Sequence, residues 1–262
     1  MTIFLHELKR GKISFLIWTA AIALMLFVCM MLFPEMQEST ESMGDLFANM
    51  GSFTAAFGMD QVNFGEVMGF YAIECGNILG IGGGFFAALL GIAALSKEEK
   101  ERTAEFLLTH PISRAAVVGQ KLLAVLAQLL FMNAVVLAVS AASFALIGEQ
   151  MAVKELLLLH AAYVAMQVEI ACICFGLSAF LRRGSMGIGL GLAAVLYFLN
   201  LVANISEQAE FLRCITPFAY AEASEIVSTA ELDGVLLFIG FVYTLIGCAA
   251  AYVRYTRKDI SA

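Results

Sequence analysis

Charge is scarce in this chain. Of its 262 residues only 14% are charged, while 61% are hydrophobic and the mean hydropathy is +0.88. Soluble domains average roughly 25% charged and about 45–50% apolar, so the composition excludes an ordinary soluble globule and indicates an integral membrane protein. Other absences narrow the chemistry. No GxxxxGK[ST] loop is present, so the chain has no phosphate cradle of its own for a nucleotide. The glycine cluster Gly80, Gly82, Gly83 and Gly84 sits in an apolar run without a following lysine, and reads as close helix packing through the Gly80–Gly84 pair. His6, His110 and His160 are the only histidines and lie far apart, which argues against a metal site. A net charge of −7 and the lack of a basic arm exclude a nucleic-acid partner. Five of the six cysteines (Cys29, Cys75, Cys172, Cys174, Cys248) fall in apolar spans and Cys214 has no obvious partner, so no disulfide framework is expected.

What is present in abundance is apolar sequence, in six runs. About twenty consecutive apolar residues cross the roughly 30 Å of hydrocarbon in a bilayer. The runs are about 13–33, 68–95, 122–147, 156–181, 186–204 and 234–253. The first is too long for a signal peptide and ends in MMLFPEM without a small-residue cleavage site, so it reads as a retained span. Before it, Ile3, Phe4 and Leu8 alternate with His6, Glu7, Lys9 and Arg10, the pattern of a short amphipathic N-terminal helix lying at the interface. Of the 15 Lys and Arg, all but Lys154 and Arg213 fall on one side if both termini, the 97–121 segment and Arg182-Arg183 share it. That side is expected to be cytoplasmic. The expected fold is therefore all-α and polytopic: six transmembrane helices, termini inside, and one membrane domain over 1–262.

Between spans two and three, Lys97 to Arg114 reads KEEKERTAEFLLTHPISR, the densest run of charge in the chain. On a helix Phe106 and Leu107 lie three and four residues beyond Thr103, with Glu98, Glu99, Lys100, Glu101, Arg102 and Glu105 around the rest of the surface. Pro111 stops the helix, and Ser113 is placed to cap the next one. One reading is a solvated loop with helical character; the other is a docking lever through which an aqueous partner moves the spans. Within the spans, Glu74 and Glu169 are the acids, accompanied by Asn77, Gln167 and Asn200 among the neutral polar residues. Groups of this kind face a bundle interior or a wet cavity, because lipid exposure costs several kcal/mol. They read either as lining for a conduit or as interhelical hydrogen bonds. Gly187 and Gly191 permit close approach of another helix.

The run from Glu101 through Leu108, then Pro111, Ile112, Ser113, Arg114 and the later Lys121, resembles the cytoplasmic loop of type-2 ABC transporter permeases, the membrane subunits of ABC exporters. Arg102 stands where that family usually has glycine, and Ala104 where a larger apolar residue is common. Ile215 to Tyr220 resembles the family's outer re-entrant segment before the sixth span, and Tyr255 to Ile260 its basic ending. The resemblance implies a permease with no ATPase site or cofactor of its own. It also implies a separate cytosolic ABC ATPase in two copies that binds ATP and Mg, and a second permease subunit, identical or different. Its place would be the plasma membrane of a prokaryote. It would make 97–114 the coupling helix, with Glu98, Glu101, Arg102, Thr103, Glu105, Phe106, Leu107, Leu108, Pro111 and Arg114 meeting the ATPase. The Gly187–Gly191 face would suit the contact between permease subunits. The rival reading is a secondary transporter or channel coupled to an ion gradient through Glu74 or Glu169.

Overall fold

The computed structural model describes residues 2–38, 51–97, 112–181 and 186–258, and every regular element among them is helical. Six of the helices are long and apolar enough to cross a membrane. The first is α1 (Thr2–Glu38). A short α2 (Ser52–Ala56) precedes α3 (Val67–Phe70), a π-helical turn (Tyr71–Cys75) and α4 (Gly76–Ala94), which together make the second span. Then come α5 (Arg114–Ile147), α6 (Val153–Ser178) and α7 (Met186–Ile205). The next connection carries two 3-10 turns (Glu207–Cys214 and Ala219–Ala221) and α8 (Ala223–Thr229), and α9 (Gly234–Arg257) completes the bundle.

Local chemistry places the helix ends. Ser113 Oγ accepts the backbone N–H of Ala116, so α5 starts at Arg114, well before the apolar run itself. It stops at Gly148, whose left-handed backbone (φ 76°) turns its N–H back onto the Phe144 carbonyl. Asp233 caps α9 by accepting from Val235 N and Leu236 N at 2.9 and 3.0 Å. The separate N-terminal helix expected from the amphipathic pattern is not there: α1 runs unbroken through it. No proline interrupts that stretch, and Gly11 lets α5 approach so closely that a methyl there would stand 3.0 Å from Gln128 Oε1. At 1.5 Å per residue α1 is about 55 Å long, well over the roughly 30 Å of hydrocarbon that one span must cross.

Helix α6 is the most enclosed, packed against α4 on one side and α9 on another, while α1 lies along α5 and α7 against α4. Glycines make these contacts intimate. Gly91 of α4 abuts the Ala171 carbonyl, and Gly247 of α9 abuts the Cys172 carbonyl and Gly176 of α6. The outward faces of α1, α5, α7 and α9 carry Leu24, Phe131, Phe198 and Phe241, all exposed, as suits a lipid-facing surface. The bundle has two chemically distinct ends. One, the basic end, gathers Arg10, Lys97, Arg114, Lys121 and Lys258; the other, the acidic end, gathers Glu207, Glu222, Glu225, Glu231 and Asp233.

Candidate functional site

At the basic end, most of the charged 97–114 segment (Glu98, Glu101, Arg102, Thr103, Glu105, Phe106, Leu107, Leu108 and Pro111 among it) lies outside the described residues. Its two flanks are described, and both are anchored. On the α4 side, Leu95 is buried and the Ser96 hydroxyl donates to the Ile92 carbonyl at 2.8 Å. On the α5 side, Arg114 donates through Nη1 to the carbonyls of Lys258 (2.6 Å) and Thr256 (3.4 Å), holding the end of α9. Two turns further, the Lys121 ammonium reaches Glu7 of α1 at 2.9 Å and the Ala94 carbonyl of α4 at 2.8 Å. Lys121 is 1% exposed, so this is a buried, charge-assisted junction of three helices. Gln120 accepts the free backbone N–H groups of Ile3 and Phe4 at the start of α1. Beneath lies an apolar cluster of Ile3, Leu95, Val117, Phe175, Ala251 and Tyr255, which gathers α1, α5, α6, α9 and the end of α4. Beside it a cavity of about 380 Å³ opens between α1, α4 and α5, floored by Trp18 stacked on Phe86 (5.9 Å) and rimmed by Glu7, Arg10, Lys97 and Gln128.

The polar residues within the spans divide into separate clusters instead of lining one channel through the monomer. Gln167 is fully buried against Gly83 and accepts from Asn133 of α5 at 2.6 Å. Glu169, on another face of α6, accepts the Tyr220 hydroxyl at 2.8 Å beside Gly240 of α9. Glu74 lies in the π turn and is half-buried. Tyr71, from the same turn, bridges Ser140 (2.7 Å) and His160 Nε2 (2.8 Å), which ties α5 to α6. Bonds of this kind are worth about 0.6–2 kcal/mol each inside a membrane, enough to fix register without forming a site.

Asn77 and Asn200, by contrast, are brought together, at the acidic end. The connection after α7 folds back into the bundle: Thr216 donates its hydroxyl to the Leu196 carbonyl (2.8 Å), and Phe218 wedges between Gly84 and the Tyr197 ring. That fold delivers Glu222 to α7, where Oε2 accepts from Asn200 and Asn204, each at 2.9 Å. Burial lifts the Glu222 carboxyl above its ordinary range, with the Asn204, Asn200 and Ser224 hydrogen bonds opposing. Asn77 donates to the Ile73 carbonyl at 2.7 Å, and its Oδ1 is 3.5 Å from the Tyr197 hydroxyl. Sequence reasoning missed Glu222, Tyr163 and Tyr197. Glu222 was one acid among many in a connection, and its only mark was a position two residues past the Pro-Phe-Ala-Tyr run. Gly187 and Gly191 lie on α7, Gly187 exposed, and a side chain at Gly191 would meet nothing within 4 Å.

The family model for the ABC-2 family transporter protein matches residues 1–260. Among curated proteins, none matches the chain.

Proposed function

The chain belongs to the ABC-2 transporter family, and from that premise we propose that it is an exporter permease, working as a dimer and driven by a separate cytosolic ATPase. The segment 97–114 is the docking element, seated on the ATPase, with the basic end in the cytoplasm. ATP and magnesium bind in that partner and none in this chain. When two ATPase subunits close on ATP, they displace the segment, and its anchored flanks carry the movement inward. Arg114 passes it to α9 through the Thr256 and Lys258 carbonyls, and Lys121 passes it to α1 through Glu7. Phe106, Leu107 and Leu108 supply the apolar contact, while Glu98, Glu101, Arg102 and Glu105 set register and partner choice. Two copies pair through the open Gly187–Gly191 face of α7, and cargo passes between them. That placement suits the monomer, in which Gln167, Glu169 and Tyr71 bond across helix interfaces in separate clusters.

The observation that carries this reading is the buried junction at Lys121. It joins the end of α4, the start of α5 and the head of α1 beside the charged segment, where a push on that segment would have to be transmitted. The reading is tested by co-expressing the chain with its ATPase. Glu105→Arg should reduce ATPase recovery on an affinity-tagged permease by about tenfold, or leave hydrolysis unlinked to transport, while the permease stays inserted. A Glu105→Arg variant that co-purifies and transports like the parent would contradict the docking role.

A further inference from the structure

The cavity at the basic end changes character along its depth. Its mouth carries Arg10 of α1, Lys97 just beyond α4 and Lys121 of α5, and Glu7 is the one acid among the described lining residues. Glu7 faces all three cations and pairs with Lys121 at 2.9 Å. Three cations against one carboxylate leave that mouth, among the described residues, with an excess of two positive charges. The floor is apolar and aromatic: Trp18 stacks on Phe86, with Leu89, Leu90 and Val125 around them. On unbroken α1 the eight-residue step from Arg10 to Trp18 spans about 12 Å at 1.5 Å per residue. Trp18 and Phe86 fall inside the apolar runs, whereas Arg10 and Lys97 fall just outside them, so the change from charged to apolar lies at the membrane boundary. The volume, about 380 Å³, is that of a small-molecule site, for which about 300–1,000 Å³ is usual.

We propose that this cavity holds the headgroup and upper acyl chain of one anionic phospholipid, drawn from the leaflet at the basic end. The phosphate lies at the mouth between Arg10 and Lys97, and the chain runs past Ser14 to Trp18 and Phe86. Basic pockets between transmembrane helices select anionic headgroups, and each Lys or Arg near such a surface adds about fivefold to affinity. Lys121 acts indirectly: it neutralises Glu7, the acid that would otherwise repel a phosphate. Other ligands match only half of the cavity. A soluble phosphate ester leaves the aromatic floor unfilled, a zwitterionic lipid gains less from the excess charge, and a cation is opposed by it. Seated there, the lipid ties α1 to the end of α4 beside the Lys121 junction. This goes beyond the transport reading and holds whether or not the chain engages an ATPase; only the naming of that leaflet as cytoplasmic rests on the orientation proposed above.

Trp18 is the only tryptophan in the chain, so its fluorescence reports on the cavity floor without any substitution. The purified permease in detergent is titrated with phosphatidylglycerol and, separately, with phosphatidylcholine, both brominated within the acyl chain, and quenching of Trp18 is recorded. Phosphatidylglycerol should quench saturably, at about tenfold lower concentration than phosphatidylcholine or better. Arg10→Gln and Lys97→Gln should each cut that preference about fivefold. Unbrominated phosphatidylglycerol should reverse the quenching, and glycerol 1-phosphate should not. Should either variant fail to fold, the wild-type comparison of the two lipids still decides. The proposal is overturned if both lipids quench alike, which would make Trp18 part of an ordinary lipid-facing surface. Displacement of the bromolipid by glycerol 1-phosphate would overturn it too, in favour of a soluble anion, as would a folded Arg10→Gln/Lys97→Gln protein that keeps the full preference.

Discussion

Lys121 shows how much a single buried charge commits. Its ammonium has left water, and among its partners a carboxylate and a carbonyl sit on different helices. Lys121 is buried while Glu7 is partly exposed and also faces Lys97 and Arg10, so removing the lysine costs less than the loss of one partner of a fully buried pair. Lys121→Met should still lower the thermal midpoint, and the double variant Glu7→Leu/Lys121→Met should recover part of the loss because no charge is left unpaired. Additive losses in that cycle would mean that the two side chains do not act together. At the acidic end, Glu222 predicts the opposite kind of dependence. Its carboxyl is raised in the folded state by burial, with the Glu225 charge adding to the shift. Its contribution to stability is thus full at pH below the unfolded carboxylate value and is lost as pH rises through the folded one. In choline buffer, wild type should lose stability relative to Glu222→Gln as pH rises above the ordinary carboxylate value of about 4 and through the raised folded one. Parallel profiles of the two proteins would contradict this.

Helices were the part of the molecule most readable in advance, because an apolar run of bilayer length has few alternatives. All six expected runs are occupied by helices in the structure. Their ends were less readable. Helix α1 extends through a charged stretch whose composition resembles an interfacial helix, since hydropathy registers solvent preference and not the absence of a break. The Gly80–Gly84 pair does mark close packing, against Tyr163 and Phe218. The close backbone approach of Gly247 to Cys172 and Gly176 had no pattern in the sequence to announce it. Two glycine substitutions separate the roles. Gly247→Leu should prevent α9 from seating on α6 and abolish the monodisperse protein. Gly191→Leu, which faces open space in the monomer, should leave the fold intact and shift the permease from dimer to monomer in light scattering. A dimeric Gly191→Leu protein would remove α7 from the proposed subunit contact.

For the whole molecule, the family was legible in a loop motif and a hydropathy profile, and the match over residues 1–260 bears it out. The polar sites were not, because their meaning depends on which helices are neighbours. Gln167 and Glu169 are two positions apart yet serve different interfaces, while Asn77 and Asn200, far apart in the chain, share one chamber. In the proposed reading the bundle takes its work from a separate ATPase, through the anchored flanks of the charged 97–114 segment. The direct measurement is a zero-length disulfide scan in native membranes: Phe106→Cys, in a background with the six native cysteines replaced, against single cysteines on the ATPase surface. The account predicts a cross-linked permease–ATPase adduct and no reaction of residue 106 with an impermeant thiol reagent applied outside the cell. Outside labelling of that residue, with no adduct at any ATPase position, would contradict it.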